Sequence, residues 1–196
     1  DALQRLAEVA QRAVPGDPDG IYLVGGTVRD LLAGRRPADI DLLIRGDIAR
    51  AAARIATATG GRIVDLGKTE FDLLRVVSPD HIVDLALLAQ ASIEADLLQR
   101  DFTINAMAYD IKARRLIDCT GGLADLRRRI IRVVSPTAFE RDPARLVRAY
   151  RMAATFAARL SAATSSAVAA HCHRITEVAG ERIWAELANL FSVADS

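Results

Sequence analysis

The 196-residue sequence predicts an α+β chain, with a mixed-sheet head over residues 1–135 and an α-helical neck over residues 136–196. Three observations carry that expectation. Short apolar or alternating runs, the period of β-strands, recur through the first ninety residues and are bounded by Gly, Pro and Asp turn clusters. Helical apolar spacing interleaves with these runs, so sheet and helix form packed layers. After Ser135 the strand period gives way to helices.

The elements follow in order. Leu3, Leu6, Ala7, Ala10 and Val14 share one helical face, and the cluster Pro15 to Gly20 stops that helix. Ile21 to Val24 reads as a buried strand. Gly25-Gly26 follows, with Thr27 as the expected N-cap of a short helix through Leu32 that ends at Gly34. Asp39 to Ile44 alternates acids with aliphatics and reads as a strand. Asp47 opens an alanine-rich helix to Thr59, which Gly60-Gly61 closes. Arg62 to Leu66 and Phe71 to Val77 are further strands, and His81 to Leu87 is the antiparallel partner of the latter across Ser78-Pro79-Asp80. Thr103 to Ala108 is expected to be helical. Asp142-Pro143 opens a helix to Leu160, and two more helices lie near 163–173 and 181–191.

Composition narrows the function. With 26 Lys+Arg against 25 Asp+Glu and 51% hydrophobic residues, disordered and collagen-like classes are excluded. The +1 formal charge argues against a bulk polyanion binder, but residues 112–151 hold 11 basic and 4 acidic residues, an arginine-rich sector suited to phosphates. Two cysteines, Cys119 and Cys172, form neither a disulfide framework nor a four-cysteine zinc site, which points to a reducing compartment and hence the cytoplasm. No apolar run reaches the roughly 18 residues of a membrane span, so no membrane partner is expected.

Several residues can do chemistry. Asp39 and Asp41, at i and i+2 on a strand, project from one face, where converging carboxylate oxygens suit a hard divalent cation such as Mg2+, although a bare Asp-x-Asp taken alone reads better as a solvated strand end or turn. Asp84 lies in the apolar run Ile82 to Leu87, where an acid needs a partner: either a metal or Arg75 on the adjacent strand. Gly25 and Gly26 precede a helix N-terminus, where backbone amides can cradle phosphate, and Arg29 in the first turn is placed to reach the same phosphates. Arg100-Asp101 precedes the Thr103 turn, which Asp101 can cap while Arg100 pairs with Asp96. Asn105 either binds nucleotide or locks the turn. Arg145, Arg148 and Arg151 share one helical face opposite Leu146, Tyr150, Ala153 and Ala157, the pattern of a solvated arginine stripe. His171-Cys172-His173 diverges on a helix and is read as surface and core, and Trp184 as a neck core residue.

The ordered segments Leu23 to Asp30, Asp39-Ile40-Asp41, Arg100 to Ala108 and Asp142 to Ala149 resemble the motifs of the class II tRNA nucleotidyltransferases, which include CCA-adding enzymes and bacterial poly(A) polymerases, within the polymerase-beta-like superfamily. That resemblance implies a small nucleotidyltransferase head, a helical neck, Mg2+ on Asp39 and Asp41, and transfer of CMP or AMP from CTP or ATP to the 3' end of tRNA or another RNA. It assigns ribose recognition to Arg100 and Asp101, and base selection to Asp142 and Arg145, with Arg148 and Arg151 serving phosphates or the template. A carboxylate accepts from the exocyclic amine of C or A and disfavours the carbonyls of U and G.

Gln99 and Arg141 depart from the family pattern, which commonly has arginine and glutamate there. The segment between Asp84 and Arg100 is short, as in CC-adding relatives. Poly(A) polymerase activity and a non-catalytic RNA-binding module are the competing readings. Family members continue into body and tail helices that grip tRNA, so this chain, a fragment or a minimal form, is expected to bind tRNA weakly; its oligomeric state is left open.

Overall fold

The computed structural model describes residues 2–14, 16, 18–67 and 73–194. The expectations for Pro15, Asp17, Phe71 and Asp72 lie outside the described residues. The chain divides into two compact units, one of residues 1–97 and 107–119, the other of 98–106 and 120–196.

The first unit runs α1 (Ala2–Ala13), β1 (Ile21–Val24), α2 (Gly25–Leu32), β2 (Ile40–Ile44), α3 (Ile48–Thr59), β3 (Arg62–Asp65), β4 (Leu73–Val77), β5 (Ile82–Leu87), α4 (Ile93–Leu97), β6 (Ala108–Asp110) and β7 (Arg115–Ile117). Its seven strands form one sheet in the order β3-β4-β5-β2-β1-β6-β7. The sheet is mixed, because β2 and β5 are parallel while the other pairs are antiparallel. The β2 to β5 register sets Asp41 beside Asp84, and the β4 to β5 register sets Arg75 beside the same Asp84. Residues opposite one another on neighbouring strands share a face, so topology gathers these groups. Leu23, Leu42, Val76 and Leu85 are buried in the sheet, and α3 packs Ala52 and Ile55 onto it. Asp47 caps α3 by accepting from the Arg50 amide at 2.8 Å, and Gly60 closes it at φ +63°, as its sequence signals indicated.

The second unit contains α5 (Gly122–Arg128), β8 (Ile130–Ile131), α6 (Ala138–Arg141), α7 (Arg145–Thr155), β9 (Arg159–Leu160), α8 (Ala162–His171) and α9 (Gly180–Ala194). The compact units therefore do not part at residue 136. Phe102, Ile104, Ile131 and Val133 share a core with Phe139, Leu146, Ala149 and Met152, which binds the strand-like segment before 136 to the helices after it. Backbone pairing reinforces this: the Thr103 amide donates to Arg132 O at 2.8 Å and the Val134 amide to Asp101 O at 2.9 Å.

Four local expectations change. Only Thr103–Asn105 is helical, as a single 3-10 turn, because Ala108–Asp110 is recruited as the strand beside β1. The helix expected from Asp142 to Leu160 starts at Arg145 and stops at Thr155; Ala157 has φ +45°, and Arg159–Leu160 pairs in parallel with β8. Tyr150 is 52% exposed, since Ala149 and Met152 take the core face of α7 with Leu146. Trp184 is 68% exposed on α9 and is not core. No helix among the described residues is long and apolar enough to cross a membrane.

Candidate functional site

In the first unit the candidate residues collect where β2 begins. Asp39 stands one residue before β2 and Asp41 is its second residue, so the i, i+2 spacing holds. Thr27, expected as an N-cap, lies inside α2, which begins at Gly25 without a side-chain cap. Its hydroxyl, 1% exposed, instead accepts from the Asp41 amide at 2.7 Å and stands 3.2 Å from Asp39 O and 3.4 Å from Asp41 Oδ2. Thr27 thus fastens the glycine-led helix to the carboxylate strand. A threonine directly after a Gly-Gly turn was the signal, but a partner fourteen residues further along the chain on β2 cannot be read from it.

Gly26 abuts Asp41, because a Cβ there would lie 3.6 Å from Asp41 Oδ2. Gly25 adopts φ +57°, a left-handed conformation, and its amide donates to Met107 O at 3.3 Å rather than remaining for a phosphate. Arg29 lies beside this turn, its Nη2 3.5 Å from the same Gly26 Cβ position, and it forms a two-pronged pair with its neighbour Asp30 at 2.9 and 3.0 Å. A phosphate would have to draw it from Asp30.

Asp84 takes the ion-pair alternative. Arg75 Nε and Nη2 donate to its two oxygens at 2.6 and 2.7 Å, and Nη2 also lies 3.8 Å from Asp39. The Asp84 hydrogen bond raises the Arg75 pKa against desolvation, and the charges of Asp84, Asp39 and Asp41 add to it. Among the described residues no three His, Cys, Asp or Glu side chains form a metal-binding group. Asp39, 39% exposed, and Asp41, bordered by a residue without a side chain, are the carboxylates that could offer oxygens to a cation. Such an all-oxygen donor pair fits Mg2+.

In the second unit Asp101 is buried. Its Oδ1 accepts from the Phe102 amide at 2.7 Å and from Asn105 Nδ2 at 3.0 Å, and its Oδ2 from Arg148 Nη1 at 3.2 Å. Asn105 therefore locks the turn in this state. The arginine stripe is not a solvated face: Arg148 and Arg151 both donate through Nε to Glu186 on α9, at 2.7 and 2.6 Å. Glu186 is 8% exposed and was missed by sequence reasoning, since nothing near it marks it as the partner of α7. Desolvation lowers the Arg148 pKa, but Asp101 and Glu186 outweigh it and the net shift is upward.

Asp142 sits between α6 and α7. It accepts from the Ala144 amide at 3.2 Å and from Arg182 Nη2 at 3.0 and 2.9 Å, while Arg145 Nε stands 3.9 Å away. Burial pushes its pKa up, but Arg182's hydrogen bond and charge, helped by the Ala144 amide and Arg148, bring it below the ordinary value. Arg145 is half-buried and its pKa is lowered by desolvation. The two departures from the family pattern meet: Arg141 Nη1 donates to Gln99 Oε1.

His171 Nδ1 donates to Ala167 O at 2.9 Å, its Nε2 lies 3.2 Å from Glu140 Oε1 and its ring packs on Phe139, while Cys172 is an exposed free thiol.

A mixed sheet with paired carboxylates at one strand start and a glycine-led helix beside it is the polymerase-beta-like nucleotidyltransferase head. Residues 21–132 match the family model described as the poly(A) polymerase head domain, and the chain belongs to that family. It is 41% identical over 172 residues to a CC-adding tRNA nucleotidyltransferase of Geobacter sulfurreducens, covering 86% of this chain and 39% of the relative. An A-adding tRNA nucleotidyltransferase of Deinococcus radiodurans is 40% identical over 155 residues, covering 79% and 35%. A solved tRNA-processing enzyme with CTP superposes with a TM-score of 0.80 at 30% identity, covering 89% of this chain and 51% of that one. The chain thus spans about half or less of the proteins it resembles.

Proposed function

We propose that this chain carries the nucleotidyl-transfer head of an enzyme that adds CMP, from CTP, to the 3' end of tRNA. The observation that carries this reading is the Asp39/Asp41 pair held by Thr27 against the Gly25-Gly26 turn. The short segment before Arg100 and the CC-adding relative support C over A.

In this reaction the RNA 3'-hydroxyl oxygen bonds to the α-phosphorus of CTP, the bond from that phosphorus to the bridging oxygen breaks, pyrophosphate leaves and the hydroxyl proton passes to solvent. Asp39 and Asp41 would hold Mg2+, which when bound neutralises developing charge and favours the ionised hydroxyl. The α2 amides that follow Gly25, and Arg29 released from Asp30, would bind the triphosphate. Arg75 holds Asp84 and keeps the acidic face from repelling it. Arg100, Asp101 and Asn105 would read the ribose. Asp142 would accept from the cytosine amine while Arg145 would donate to the ring acceptors, and Arg148, braced with Arg151 by Glu186, holds Asp101. A cytoplasmic location accords with a tRNA substrate and exposed free thiols.

The test incubates the chain with tRNA ending before, within and after CCA, with each NTP separately. Addition of C to tRNA lacking CCA, and not of A to tRNA ending in CC, is the expected result. Since the family model is named for poly(A) polymerases, adenylation of generic RNA would select that second reading.

A further inference from the structure

Asp142 has a carboxylate whose accessible edge is already taken. Arg182 Nη2 lies 3.0 Å from Oδ1 and 2.9 Å from Oδ2, so a single nitrogen sits astride both oxygens. A donor on an incoming ring would compete with it for these same two oxygens. The outer side of Oδ1 is used by the Ala144 amide at 3.2 Å. Beside it Arg145 Nε is buried without a hydrogen-bond partner, 3.9 Å from Oδ2, while its terminal nitrogens make only long contacts of 3.4 to 3.5 Å to Gln99 O and Ala138 O. The site thus holds one unsatisfied donor and one acceptor satisfied by a substitute.

The substitute is well suited to leave. The Arg182 side chain is 55% exposed against 22% for Asp142, so its guanidinium is rehydrated readily when it withdraws. The half-buried carboxylate cannot do the same and requires a replacement donor.

We propose that Arg182 is a displaceable occupant of the base site, exchanged for the exocyclic amine of the incoming cytosine or adenine, and so a specificity-determining residue. This deepens the base-selection reading of Asp142 and rests on it. An amino-bearing base replaces the Arg182 hydrogen bonds at Asp142. A base with a carbonyl there does not, and Arg182 stays. The exchange weakens binding of the correct nucleotide by the free energy needed to move Arg182, and it withholds the carboxylate from uracil and guanine.

The experiment measures equilibrium binding of CTP and UTP to the chain and to Arg182→Gln, Arg182→Lys and Asp142→Asn. Arg182→Gln is expected to bind CTP about two- to five-fold more tightly, the range an exposed ion pair supplies, with UTP unchanged. Arg182→Lys, which retains charge without the planar fork, falls between. A residue that merely supported the fold would shift CTP affinity the other way. Unchanged or weaker CTP binding in Arg182→Gln overturns the proposal. If Asp142→Asn weakens CTP binding in that case, only the exchange fails; if it does not, the base-site reading of Asp142 fails with it.

Discussion

Replacing Thr27 by valine keeps the volume and branching of the side chain and removes one oxygen. That oxygen accepts from the Asp41 amide at 2.7 Å and faces Asp39 O at 3.2 Å, at a site 1% exposed. No water can reach the orphaned amide, so its desolvation is uncompensated. An unsatisfied buried donor costs about 1–3 kcal/mol, and since a methyl fills the space no cavity term is added. We expect a loss of about 2 kcal/mol, which for a chain of this size lowers the melting temperature by about 4–8 °C. Thr27→Ser retains the hydroxyl and loses only a methyl, so it is expected to lose about 1 kcal/mol. Differential scanning calorimetry of the three proteins, with CMP transfer measured beside it, provides the assay. Transfer should fall further in Thr27→Val than its stability accounts for, because Asp41 loses its tether to α2. A valine variant melting within a degree of the parent, or below the serine variant in no measurable way, would refute the reasoning.

Asp41→Asn keeps the side-chain shape at the start of β2 and removes the charge proposed to hold a cation; transfer is expected to fall at least about a hundred-fold while the melting temperature does not drop. Glu186→Gln leaves Arg148 and Arg151 facing one neutral acceptor at a nearly buried position, so urea unfolding should register a loss of about 2–3 kcal/mol; a change within experimental error would show that the network is not a brace. The Asp142 carboxyl is held below its ordinary value of 3.8, so its pairing with Arg182 contributes fully above that pH and is lost as pH falls through the lower folded value. The stability difference between the parent and Arg182→Gln, measured by urea unfolding from neutral to acid pH, should therefore be constant near neutrality and vanish below the ordinary value. Arg75→Lys exchanges a two-pronged grip on Asp84 for a point charge and should cost about 1 kcal/mol in the same assay.

Local signals proved sufficient where the physics was local. Asp47 and Gly60 bound α3 because capping and left-handed closure depend on residues within one turn. The antiparallel pair across Ser78-Pro79-Asp80 was legible for the same reason, and so was the ion-pair alternative for Asp84, since Arg75 is brought opposite it by that hairpin. Thr103 to Ala108 failed as a helix because the strand β1, eighty residues upstream, claims Ala108. The arginine stripe of α7 reads as solvated on a helical wheel; it is half-buried because Glu186 arrives from α9.

By itself the sequence determined the chemical inventory: the carboxylate pair on one strand face, the Gly-Gly turn that opens a helix, and the Asp142 and Arg145 pair one helical turn apart. Those follow from periodicity and backbone sterics, which act over a few residues. Only the tertiary structure decided which of these groups already have partners. Arg29 is held by Asp30, Asp84 by Arg75, Asp101 by Arg148 and Asp142 by Arg182. A charge in a partly buried site must be compensated by whatever group the fold brings nearest, and that neighbour is set by topology rather than by spacing along the chain.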